Sequence, residues 1–198
     1  MSDLLSRDTL VINQKAKLIE LTNEYKILDE EGNQVGVIRE EGQSKAKKAL
    51  RLFTKVDQFL THRLSVYDVG GQKVVELVRP AKILKSTVSI SDGTGRPVGR
   101  IVQQNVLGKK HFGLEAPEGT VLGSINAENW RSWDFSIHDP TGSEVGRITK
   151  KWAGILREGF TTADNYILSI SAHVSPDMRL MMLASAAGVD TALKQDEG

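Results

Sequence analysis

From Thr9 to Ile170 apolar and polar residues alternate in short runs, and the runs are interrupted at regular places by Asp-x-x-Gly. Alternation with a period of two puts successive side chains on opposite faces of an extended strand. One unit recurs five times: Tyr25 to Ile38, Leu64 to Leu77, Val88 to Ile101, Phe112 to Ile125 and Phe135 to Ile148. Aligned on Asp29, Asp68, Asp92, Ala116 and Asp139, the copies are spaced by 39, 24, 24 and 23 residues. Aspartate closes an Asx-type turn and glycine three residues later supplies a positive φ, so each unit predicts a β-hairpin. Regular short strands of this kind predict a sandwich or a barrel.

Parity within the hairpins predicts what lies inside. Gly36, Gly99, Gly123 and Gly146 precede Ile38, Ile101, Ile125 and Ile148 by two residues, so each shares a face with its isoleucine. Glycine at an inward strand position marks a bulge or the close approach of another backbone. The last apolar segment, Leu180 to Leu193, supplies an element to approach. Ser175 can cap it, Pro176 suits its first position, and Asp177 and Lys194 match the helix dipole, which predicts a helix over about 176–194. Its apolar residues fall all around the helical wheel, so it is buried in protein or in lipid. A bilayer needs about 20 such residues, whereas this run is shorter and contains Asp190. The expectation is therefore a mainly β fold, a closed antiparallel barrel wrapped around its own C-terminal helix, with Leu183 and Ala187 in the core beside the four glycines.

Length and charge narrow the picture. The 198 residues predict one domain over 9–194, with flexible ends at 1–8 and 195–198. Twenty-six basic and 25 acidic side chains leave a net charge of +1, which points away from nucleic acid as a partner. There is no cysteine, hence no disulfide, thiol nucleophile or thiolate metal site. The polar start, with Asp3 and Asp8, lacks a signal peptide's apolar core, so a cytoplasmic location is expected. One stretch is strongly basic: Gly42 to Leu60 carries Lys45, Lys47, Lys48, Arg51 and Lys55 against Asp57. Ala46, Ala49, Leu50 and Phe53 stand at helical spacing within it, which makes Ser44 to Thr54 a candidate amphipathic turn or two.

The run Ile148 to Tyr166, which contains Trp152-Ala-Gly-Ile-Leu-Arg-Glu-Gly-Phe-Thr-Thr-Ala-Asp164, resembles the signature stretch of the phospholipid scramblase family. Met178 to Leu193 resembles that family's C-terminal helix, and with the hairpins the resemblance covers Thr9 to Leu193. It implies the fold shared by scramblases, the plant LURP-one-related proteins and tubby C-terminal domains: about twelve strands around a central hydrophobic helix. It also implies a calcium-responsive segment, here Thr161 to His173. Asp164 and Asn165 match that segment's pattern, while Thr162 and His173 stand at its other acidic positions. Calcium takes six to eight oxygen ligands, several of them carboxylate, so Asp164 is a weak metal candidate and no cofactor is expected.

The remaining chemistry is sparse. His62, His111, His138 and His173 show no metal-binding spacing. No nucleophile elbow or phosphate-binding loop is present, so the expectation is not an enzyme. The turn aspartates read as turn formers rather than ligands. Trp133 shares parity with Phe135 and Ile137 and reads as core. Trp152, beside Lys150 and Lys151, reads as an interfacial anchor. Lys45, Lys47, Lys48, Arg51, Lys55, Lys150, Lys151 and Trp152 are thus the candidate lipid-binding residues, directed at an anionic phospholipid surface such as the inner face of the plasma membrane. The alternative reading of the basic stretch, and the one weighed more heavily, is a solvated charged helix between strands, balanced by Asp29, Glu30, Glu31, Glu40 and Glu41. The alternative functions are a soluble ligand- or protein-binding barrel module and an interaction scaffold. The resemblance draws the last helix toward a membrane and its length draws it into the barrel; the length argument is taken to prevail.

Overall fold

The computed structural model describes residues 3–13, 24–41, 61–80, 87–105, 111–129, 134–150 and 165–193. After a short 3-10 helix at Asp3–Ser6 come twelve strands. They are β1 (Thr9–Asn13), β2 (Glu24–Leu28), β3 (Gln34–Glu41), β4 (His62–Asp68), β5 (Lys73–Arg79) and β6 (Thr87–Asp92). The second six are β7 (Pro97–Gln103), β8 (His111–Glu115), β9 (Val121–Asn129), β10 (Asp134–His138), β11 (Glu144–Thr149) and β12 (Asn165–Ile170). One helix, α1 (Pro176–Leu193), follows. Every strand pairs antiparallel with its sequence neighbours, and β1 closes the circle on β12 with Thr9 opposite Ser169. Closure leaves no unpaired sheet edge.

The five repeated units are the hairpins β2–β3, β4–β5, β6–β7, β8–β9 and β10–β11. All five turns close on the same pair of backbone hydrogen bonds, and in every turn but that of β8–β9, where Ala116 stands, an aspartate adds side-chain bonds. In β6–β7 the Asp92 carboxylate accepts the Thr94 and Arg96 backbone N–H groups at 2.9 and 3.0 Å, and Gly95 takes φ 92°. Asp139 does the same with Thr141 and Ser143. Each hairpin shifts register just before its turn, after Ile27, Val66, Ile90, Leu114 and Ile137. A bulge there lets the strand bend into a barrel wall.

The four glycines face the lumen, as parity requires. A Cβ on Gly36 would lie 2.6 Å from the Tyr67 carbonyl oxygen, and one on Gly146 2.6 Å from that of Ser169. At Gly99 and Gly123 it would collide with the carbonyls of Glu115 and His138. In all four cases the obstruction is the backbone of the next strand. The inner side of the same notches receives side chains from α1: Met181 at Gly99, Met178 at Gly123 and Met182 at Gly146. Gly36 receives Leu4 instead. Unbranched methionine fills such irregular gaps readily.

Every residue of α1 from Met178 to Ala187 is buried, Leu183 and Ala187 included. The helix is tied at its start. Ser175 Oγ caps the Met178 N–H, Asp177 meets Arg96 at 2.7 Å, and buried Arg179 donates to the Leu5 and Arg7 carbonyls and the Asp8 carboxylate. The buried Ser185 hydroxyl donates to the Met181 carbonyl. At about 1.5 Å per residue the 18 residues run the length of the lumen. No helix among the described residues is long and apolar enough to cross a membrane.

Candidate functional site

An antiparallel meander has two unlike ends. One gathers the five tight turns, the start of α1 and the 3-10 helix. The other receives the six remaining connections, 14–23, 42–61, 80–86, 104–110, 130–133 and 150–164, whose bracketing strand ends all stand at one rim. These connections hold fifteen of the 26 basic residues, four of the 25 acidic ones and all three tryptophans. In a chain of net charge +1 the excess of basic over acidic residues thus falls, in sequence, on the connections that leave the described strands at this one rim. The C-terminus of α1, the negative end of its dipole, points to the same rim.

Of the candidate lipid-binding residues, Lys150 is described: it stands at the end of β11, its Nζ 4.7 Å from the centre of the buried Tyr166 ring. Lys45, Lys47, Lys48, Arg51, Lys55, Lys151 and Trp152 lie outside the described residues, as do Trp130, Trp133 and Asp164. The strand ends nonetheless bring the connection carrying the first five to the same rim as the one carrying Lys150, Lys151 and Trp152.

Sequence reasoning missed a second feature of this rim. The lumen is apolar along its length, but the last inward positions before the rim are polar: Glu40, His62, Arg79 and Gln103, with Lys150 just beyond β11. His62 Nδ1 lies 2.9 Å from Glu40 Oε1 with both side chains buried, and His62 faces buried Arg79 across the β4–β5 ladder. Gln103 Nε2 donates to the Asn105 carbonyl. The signal was available. Each residue lies two positions rimward of an inward aliphatic, Ile38, Leu64, Leu77, Ile101 and Ile148, so parity continued past the core finds them.

The other candidates do not converge. Among the described residues no three His, Asp or Glu side chains stand close enough to hold a metal ion. Asn165 and His173, which the resemblance assigns to one ion-binding run, flank β12 from opposite ends. From Asn165 to Ile170 the strand alone spans roughly 17 Å, too far for one ion. The turn aspartates spend their lone pairs on their own hairpins.

Those hairpins carry a pH signature. The Thr94 hydroxyl, then Arg96 and the two backbone N–H groups, hold the Asp92 carboxyl down at about 2 against the cost of burial. Thr141 holds Asp139 low in the same way. A depressed carboxylate contributes stability that is complete above its unfolded value near 4 and is lost as pH falls through its folded value. Asp92→Asn keeps an oxygen for the turn N–H groups but removes the charge facing Arg96. It is expected to cost about 1 kcal/mol at neutral pH, after discounting for screening at a partly exposed turn. Urea denaturation at stepped pH should show that difference vanishing between about pH 4 and 2.

Compared with known proteins, residues 1–193 match the family model described as Scramblase. The chain is 28% identical over 186 residues to a phospholipid scramblase family protein of Schizosaccharomyces pombe, a match covering 85% of this chain and 48% of that protein. It is 23% identical to the altered inheritance rate of mitochondria protein 25 of Saccharomyces cerevisiae, covering 94% of this chain and 70% of that protein. With human phospholipid scramblase 1 the identity is 25%, covering 96% and 64%. The chain thus spans about half the length of the first relative and close to two thirds of the human one. No solved structure matches.

Proposed function

Because the chain belongs to the Scramblase family, we propose that it is a non-enzymatic, peripheral phospholipid-binding protein that docks the rim of long connections on an anionic membrane face, such as the cytoplasmic leaflet. The observation that carries this reading is the gathering of fifteen basic residues and all three tryptophans on connections that leave one end of the barrel. Each Lys or Arg near an anionic surface contributes about 1 kcal/mol at most, and tryptophan favours the headgroup level. Lys45, Lys47, Lys48, Arg51 and Lys55 are the densest basic run in the sequence of these connections, and Lys150, Lys151 and Trp152 belong to another connection that leaves the same rim. The central helix takes no part in this docking, since its side chains fill the lumen.

Liposome flotation tests the reading. The protein should float with phosphatidylserine vesicles at low salt, remain in solution with phosphatidylcholine alone, and detach as ionic strength rises and the Debye length shrinks below about 8 Å. Failure to float with anionic vesicles at low salt would remove the reading in favour of a soluble binding module. Transfer of lipid between leaflets is a further step that the family name carries. A dithionite leaflet assay on reconstituted protein tests it separately, with accelerated quenching of inner-leaflet lipid as the positive result.

A further inference from the structure

The run Lys45 to Lys55 is preceded in the chain by five carboxylates, Asp29, Glu30, Glu31, Glu40 and Glu41, and the fold decides which of them can neutralise it. Asp29, Glu30 and Glu31 lie in the β2–β3 turn. The eight residues of β3 set that turn roughly 25 Å from the rim, about three Debye lengths at physiological salt. Glu40 points into the lumen, where His62 Nδ1 lies 2.9 Å from its carboxylate. Glu41 differs from these four, because it ends β3 on the outer wall and directly precedes the connection 42–61.

Glu41 is turned away from that connection. Its carboxylate accepts the Tyr67 hydroxyl at one oxygen, and the Lys73 ammonium stands 3.6 Å from the other. Register gives the direction. Glu41 pairs with Arg63, whereas Tyr67 pairs with Val37, four residues back along β3 toward the turns, and Lys73 pairs with Tyr67. Four residues are about 13 Å, so hydroxyl and carboxylate meet only because both side chains lie along the wall toward one another. The partners are held in turn: Lys73 also meets Glu76 at 2.8 Å, and the Arg39 guanidinium lies 5.2 Å from the centre of the Tyr67 ring. Burial pushes the Glu41 carboxyl up, yet the Tyr67 hydroxyl and Lys73 keep it below its ordinary value, so it is an anion at neutral pH. We propose that Tyr67 and Lys73 are positioning residues, which hold the Glu41 carboxylate down the outer wall where it cannot act as counter-ion to the basic connection, and so leave that connection to an anionic membrane. The idea rests on the membrane reading above and adds to it two side chains that lie away from the rim.

Cosedimentation with phosphatidylserine vesicles at low salt tests this as a double-variant cycle. Tyr67→Phe with Lys73→Met releases Glu41, while Glu76 keeps Arg63 as a partner. Lys73 opens β5 at the turn end, so its own charge lies far from the rim. Releasing Glu41 should weaken vesicle binding about threefold to fivefold, the contribution of one charge at an anionic surface. Adding Glu41→Gln to the released protein should restore the parent's affinity, whereas Glu41→Gln in the parent should change it by less than about twofold. A merely structural role for Tyr67 and Lys73 predicts no such return, since removing a carboxylate does not mend packing. Where the double replacement fails to fold, Tyr67→Phe alone carries the same comparison. Parent protein that does not sediment with the vesicles removes the membrane reading and this one with it. Parent protein that sediments, with the released protein binding equally well or with Glu41→Gln failing to restore it, overturns the positioning role and leaves the membrane reading standing.

Discussion

Gly146→Ala is expected to destabilise the protein by about 1–3 kcal/mol, and Gly146→Val by more, although both add apolar volume to an apolar core. The cause is what the new carbon would meet. One contact is the Met182 methyl, the far end of a flexible chain that can swing aside. The other is the Ser169 carbonyl oxygen at 2.6 Å, and Ser169 belongs to the strand whose ladder with Thr9 closes the barrel. Relieving that contact means moving a backbone paired on both sides. The double variant Gly146→Ala with Met182→Ala should therefore recover none of the carbonyl clash and should add a cavity of its own. Gly142→Ala makes the contrast, since there a Cβ meets open space and pays only for a backbone at φ 86°, about 1 kcal/mol. Urea denaturation ranks the variants. A Gly146→Ala protein as stable as the parent would mean that β11 does not press on β12 as described.

Replacing Lys45, Lys47, Lys48, Arg51 and Lys55 together with glutamine is expected to lower binding to phosphatidylserine vesicles by about a hundredfold or more, from an upper limit near 1 kcal/mol per charge. The fold should tolerate the change, because the five lie in one connection between β3 and β4 and outside the repeated hairpins. Neutralising Arg7 and Arg96 at the opposite end gives the control. Both are paired there with aspartates, and losing them should leave vesicle binding unchanged. Cosedimentation at fixed lipid and varied salt measures the effect. Equal binding by the five-fold variant and the parent would move the contact elsewhere on the barrel.

Much of this architecture could be read from the chain because its signals are local and repeated. Asp-x-x-Gly marks four of the turns and Ala116-x-x-Gly the fifth, and the parity of Gly36, Gly99, Gly123 and Gly146 with the following isoleucines assigns the strands an inside. The two strands outside the repeat were harder. Thr9 to Asn13 and Asn165 to Ile170 carry no turn motif linking them, because they pair across almost the whole chain, and only closure makes them neighbours. The functional rim was half legible for a related reason. The dense run Lys45 to Lys55 announces itself, whereas Lys15, Lys17, Lys82, Lys85, Lys109, Lys110, Arg131 and Arg157 are scattered in sequence. What relates them is the topology, since alternate connections of a closed meander leave the strands at one end.

The pairing of Thr9 with Ser169 also sets an order of events during synthesis. Strand β1 is made before every other strand of the barrel, yet its closing partner β12 and the helix that fills the lumen are made after all the others. Until they emerge, five hairpins can form locally but enclose nothing, and their inward faces stay wet. Contacts so distant in sequence make closure slow compared with hairpin formation. A nascent chain of this protein is thus committed to a long interval with its apolar surface open, when a chaperone would have most to hold and a truncated message would yield no partial barrel worth keeping.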